Sequence, residues 1–91
     1  MPQRTLVDVL PIQEAVAAAS PSSWRDGLVT LRSEAQVTVL ALDGRVHVLT
    51  TRAQPAPGEP VAIHPVAELL AVGGTWFAAR ATLDESGEPA L

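Results

Sequence analysis

Two histidines, His47 and His64, are the only side chains of this sequence able to act as bases at neutral pH, and cysteine is absent. Without cysteine there are no disulfides, thiolate nucleophiles or cysteine zinc sites. A histidine zinc site would need His47 and His64 close together with one or two carboxylates. Neither lies at HxH or HxxE spacing from a partner: His47 falls mid-strand, and His64 stands beside Pro65 at an element boundary. The spacing therefore predicts a cap or turn role for His64 and no metal. Serine catalysis needs a base and an orienting acid. Ser20, Ser22, Ser23, Ser33 and Ser86 all lie in turn-forming stretches or the tail, where serine is expected anyway. Asp8, Asp26, Asp43 and Asp84 have turn or cap explanations too, and no G-x-S-x-G elbow is present. Gly73-Gly74 reads as the stop of a helix rather than a phosphate loop. No set of catalytic roles can be filled, so a non-enzymatic protein without cofactor is expected.

The aromatic residues offer a second chemistry. Trp24, Trp76 and Phe77 are the only three. Single-strand nucleic-acid binders stack bases on aromatics beside a basic groove. A platform of Trp24, Arg45, Trp76 and Arg80 is the one candidate nucleic-acid contact here, with Arg80 four residues after Trp76 on the same strand face. The formal net charge of -4 and the scattered arginines oppose it. The competing assignment makes the tryptophans core bulk or anchors of a subunit interface.

These side chains must be carried by short elements. Thr5 to Leu10 reads as a strand, since Pro11 favours extended backbone before it, although Thr5 and Asp8 also have capping-box spacing. Pro11 then opens a helix with Ile12, Ala15, Val16 and Ala19 on one face, closed by Ser20-Pro21. Asp26-Gly27 signals a turn before a strand over 28–32. Ser33-Glu34 turns into a strand over 35–42, and Asp43-Gly44 signals a two-residue type I′ hairpin. That turn sets Ala41 opposite Val46, Val39 opposite Val48 and Thr38 opposite Leu49. Val37, Val39, Ala41, Val46 and Val48 then make one apolar face, while the other carries Leu40, Leu42 and Leu49 among Thr38, His47 and Arg45. Pro55 to Pro60 is a stiff connection, and Val61 to Ile63 a short strand. Pro65 opens a second helix with Val66, Leu69 and Leu70 as its stripe, and Thr75 to Leu83 is the final strand. Its faces are Trp76 and Ala78 against Phe77, Ala79 and Ala81.

The chain has 91 residues, 47% hydrophobic and 18% charged, enough for one domain (1–83) with an acidic tail (84–91). The predicted architecture is α+β: a small antiparallel β-meander or half-open barrel over 28–51, extended near 61–63 and 75–83, with one or two short helices packed on it. The alternative is a closed small barrel. Across Gly27 to Ala81, the valine-rich hairpin, the Pro-Gly-Glu-Pro-Val turn at 57–61 and the terminal strand resemble OB-like and SH3-like barrels; no functional residue follows from that resemblance. No stretch has the length of a membrane span or a signal sequence, so a cytoplasmic, membrane-free protein is expected. A core of Val, Leu and Ala is thin and has no covalent staple. Self-association, as a homodimer through Leu40, Leu42, Leu49 or the Trp76 strand, is therefore the expected function, with a nucleic-acid or regulatory module and a small-ligand-binding domain as the other classes. A different protein partner is also compatible with this surface.

Overall fold

A computed structural model describes residues 4–82; the predicted acidic tail, 84–91, lies outside the described residues. Seven strands and one α-helix follow in the order β1 (Thr5–Val7), α1 (Pro11–Ala19), β2 (Arg25–Arg32), β3 (Gln36–Ala41), β4 (Val46–Thr51), β5 (Pro60–His64), β6 (Leu69–Val72) and β7 (Thr75–Ala81), with a 3-10 turn at Pro21–Ser23 after α1. The sheet order is β1-β7-β4-β3-β2-β5-β6, and β6 also pairs with β7. That last pairing closes β2, β3, β4, β7, β6 and β5 into a six-stranded antiparallel barrel. Closure removes the sheet edges that a meander would leave open. β1 joins outside the ring, parallel to β7, with Thr5 opposite Thr75 and Val7 opposite Phe77.

Alternation along the strands builds the barrel core. Val29, Val37, Val39, Leu49, Ala53, Val61, Ile63, Leu70 and Ala79 are buried together, with Val72 and Phe77 packed on them. A second cluster lies outside the barrel wall, where α1 covers β6 and β7: Ala17, Ala67 and Leu69, flanked by Val9, Val16, Trp24 and Trp76. Trp76 and Phe77 therefore point to opposite sides of one strand and serve different cores, as strand alternation requires.

The β3–β4 hairpin departs from the two-residue expectation. Val37 is opposite Leu49, Val39 opposite His47 and Leu40 opposite Val46. The loop holds three residues, Leu42, Asp43 and Gly44. The Gly44 N–H donates to Ala41 O at 2.9 Å, and the Ala41 N–H donates to Arg45 O at 2.8 Å. Gly44 has φ +90, the left-handed position that follows a type I turn in such loops. Asp43 Oδ1 accepts from the Arg45 N–H at 2.9 Å and braces the turn. A one-residue change of register turns every β4 side chain to the other face. His47 and Leu49 therefore point inward, and Val46 and Val48 outward.

Three other expectations are corrected. The second helix is absent: residues 65–68 make a turn, Leu69 and Leu70 belong to β6, and Gly73-Gly74 is the two-residue β6–β7 turn, with Val72 opposite Thr75. Gly73 has φ +60, the first-position requirement of a type II′ hairpin. Asp26-Gly27 lies within β2 rather than in a turn. The face of α1 turned to the sheet is Gln13, Val16 and Ala17, whereas Ile12, Ala15 and Ala19 are exposed. Gln13 explains the rotation: its Oε1 accepts from the Leu10 N–H at 2.9 Å, and its Nε2 donates to Ala67 O and Glu68 O, both at 3.0 Å.

Gly27 is required for a steric reason. It sits opposite Ala41, and a Cβ there would lie 2.7 Å from Leu40 O and 2.8 Å from Val39 Cγ1. Overpacking of that kind costs about 1–3 kcal/mol. Gly27→Ala is expected to lower the free energy of unfolding by that amount, read as a lower urea midpoint. An unchanged midpoint would mean that β2 and β3 admit a methyl group at this position without strain.

Candidate functional site

The outer surface of β5, β2, β3 and β4 carries Leu28, Leu31, Leu40, Val46 and Val48 with Leu42 beside them, while Leu6, Leu10, Ile12 and Val66 are exposed elsewhere. Residues directly opposed across strands share a face. Pro60 pairs with Leu28, Leu28 with Leu40, and Leu40 with Val46, so four apolar side chains run in one row across four strands. A second row joins Leu31, Thr38 and Val48, brought into line by a bulge between Val29 and Leu31. Leu28 is 45% exposed, Leu40 42% and Val46 63%. No side chain within either row carries a charge; Asp26, beyond Leu28 on β2, stands at the rim.

Of the residues expected at an interface, Leu40 and Leu42 are exposed on the outer side. Leu49 is not available: it is 4% exposed and part of the barrel core, because the three-residue turn reverses β4. Val46 and Val48 take its place outside, and Leu28 and Leu31 extend the surface onto β2. The sequence marks 28–32 as a strand without assigning a face to Leu28 or Leu31, and Val46 and Val48 follow only from the correct turn length. Trp76 is half-buried beneath α1, away from this face.

The four residues of the predicted nucleic-acid platform are not brought together as one surface. Trp24 and Trp76 pack on each other, ring centroids 5.1 Å apart, within the cluster under α1. The cation over Trp76 is Arg4, 4.0 Å from the ring centroid, rather than Arg80. Arg80 lines a groove between α1 and the β4–β7 junction with Asp8, Thr50 and Glu68. Arg45 stands at the barrel mouth.

His64 has a structural part that sequence spacing only hinted at. It is fully buried. Its Nδ1 accepts the Ala67 N–H at 3.0 Å, which leaves Nε2 as the protonated nitrogen. Nε2–H donates to Ser20 O at 2.9 Å, and Ser20 Oγ donates to Val16 O at 2.6 Å. The ring meets Trp24 edge-on, centroids 5.1 Å apart. One neutral imidazole thus ties the end of α1, the β5–β6 turn and the tryptophan pair together. With both nitrogens engaged, His64 has no free lone pair for a metal or a substrate. Among the described residues no three His, Asp or Glu side chains converge, and no helix is long and apolar enough to cross a membrane.

Removing that imidazole strands the Ala67 N–H and opens a cavity beside Trp24. His64→Ala is expected to cost about 2–4 kcal/mol in urea unfolding followed by tryptophan fluorescence. A loss below about 0.5 kcal/mol would mean that α1 is held by its apolar contacts alone. Comparison of the chain with family models, curated proteins and solved structures finds no match.

Proposed function

We propose that this protein is a non-enzymatic interaction module of the cytoplasm that pairs with a second copy of itself through the outer face of β2, β3 and β4. The observation that carries this reading is the row Leu28–Leu40–Val46. Three exposed aliphatic side chains lie side by side on adjacent strands, with Leu40 in the middle. Such a row is self-complementary. A two-fold axis along β3 sets Leu28 of one copy against Val46 of the other and Leu40 near its own counterpart. Closed dimers use interfaces of this isologous kind.

The physical incentive comes from the cores. The barrel interior is filled mainly by valine, alanine and leucine, which bury less area than aromatics. Stacking two sheets face to face removes the outer aliphatic side chains from water and leaves Asp26 at a solvated rim, the usual anatomy of a stable interface. The strands of this face are rigid parts of a closed barrel, so little ordering entropy opposes docking.

Leu40→Glu tests the reading. Leu40 is partly exposed in the single chain, so the substitution is expected to leave the fold intact while placing two carboxylates at the centre of the interface. Sedimentation at micromolar concentration should show a wild-type dimer and a folded L40E monomer. A wild-type monomer, or a dimer that survives L40E unchanged, would overturn the proposed surface.

A further inference from the structure

The same register that sends Leu49 into the core leaves His47 in an unusual position. His47 occupies an inward place on β4 near the end of the barrel, opposite Val39. Its Nε2 is buried and has no hydrogen-bond partner among the described residues. A buried polar nitrogen left unpaired costs about 1–3 kcal/mol, so such an atom calls for an explanation. Its ring lines a small internal cavity of about 40 Å³ and also a larger cleft at the barrel mouth, about 340 Å³.

Strand alternation supplies the rest of the mouth. Arg45 lies two residues before His47, and Arg25 two residues before the inward Gly27. Both arginines thus continue inward-facing rows past the end of the barrel, and both line the cleft with His47, Asp43 and Pro65. Arg25 is held in place by two carbonyls: its Nη1 donates to Ser22 O at 2.9 Å and to Trp24 O at 3.2 Å. The Arg45 guanidinium makes no ion pair or hydrogen bond among the described residues. Asp43 spends one carboxylate oxygen on the turn backbone. Two guanidinium charges against one carboxylate leave the cleft with an excess of one positive charge, on a chain whose formal charge is -4.

We propose that this mouth binds a small organic acid carrying one carboxylate. The carboxylate sits between Arg25 and Arg45, whose N–H groups suit it geometrically, and the His47 ring forms the floor of the cleft. The volume is that of a small-molecule site. A single excess positive charge favours a monocarboxylate over a phosphate dianion. This site is separate from the outer dimer face, since inward and outward side chains of β4 diverge.

Nitrogen NMR of the imidazoles tests the assignment, because the protein has only two histidines and His64 serves as an internal reference. Benzoate and acetate are titrated at constant pH and ionic strength, with inorganic phosphate and chloride as controls. The expected result is a saturable shift of the His47 ring nitrogens with the carboxylates, little change at His64, and affinity about tenfold weaker in R45Q, the loss of one charge-assisted contact. Arg45 is exposed, so R45Q should keep its fold, and the unshifted His64 signals verify that. Shifts that never saturate, that phosphate or chloride reproduces, or that persist unchanged in R45Q would overturn the proposal. The dimer is scored separately by sedimentation, so either idea can fail without the other.

Discussion

The architecture depends on one tight turn. Leu42, Asp43 and Gly44 form a three-residue loop in which Gly44 takes a positive φ and Asp43 bonds the Arg45 N–H. Had the loop been one residue shorter, β4 would present Val46 and Val48 to the barrel interior. The interior instead receives Leu49, His47 and Thr51. Thr51 matters because β4 and β7 pair over only a short stretch: its Oγ1 donates to Ala78 O at 2.9 Å and secures that seam. Core composition, the outer aliphatic row and the polar mouth all descend from the same register.

The helix adds a second anchorage that is polar at its centre and apolar around it. Gln13 and His64 satisfy backbone groups of the β5–β6 turn from two directions. Such groups would otherwise be stranded when α1 covers them. The tryptophan pair then fills the space beside the imidazole. Arg4 completes the arrangement, stacking on Trp76 and approaching Glu14 at 3.9 Å. An exposed pair of that length contributes little energy. The stacking and the buried bonds hold the N-terminal segment in place.

Much of the fold was legible from local cues. Pro11 and the Ser20-Pro21 stop bounded α1 correctly, and alternation placed β3, β4, β5 and β7 close to their observed spans. The meander over 28–51, its extension near 61–63 and 75–83, and the small-barrel alternative describe the observed ring. The failures share a cause: each local signal fitted two structures. Asp43-Gly44 serves both two-residue and three-residue hairpins, and β4 is apolar on both faces, so Val46 and Val48 competed with Leu49 for the interior. Val66, Leu69 and Leu70 have helical spacing, but Glu68 at φ +61 and the His64–Ala67 bond turn the chain there. Gly73-Gly74 fits a helix stop as well as a hairpin. Exposure followed suit: Leu40 and Leu42 lie on the outer side as the pattern suggests, whereas the exchange of Leu49 for Val46 and Val48 on that side follows only from the turn. His47 as a mouth residue was equally hidden, because only the register places Arg45 and His47 on the inward row.

β7 has a kinetic consequence. It is the last of the described strands, yet it pairs with β1, β4 and β6. Along one edge it holds β1 beside Thr75–Phe77 and β4 beside Ala79–Ala81. No closed ring can exist until this strand has docked, and the β1 contact spans nearly the whole described chain. Contacts so distant in sequence make folding slow. Until β7 arrives, β4 and β6 expose unpaired edges that another chain could pair with. β7 thus acts as the latch of the barrel, and the interval before it closes is when the folding chain is most open to misassembly.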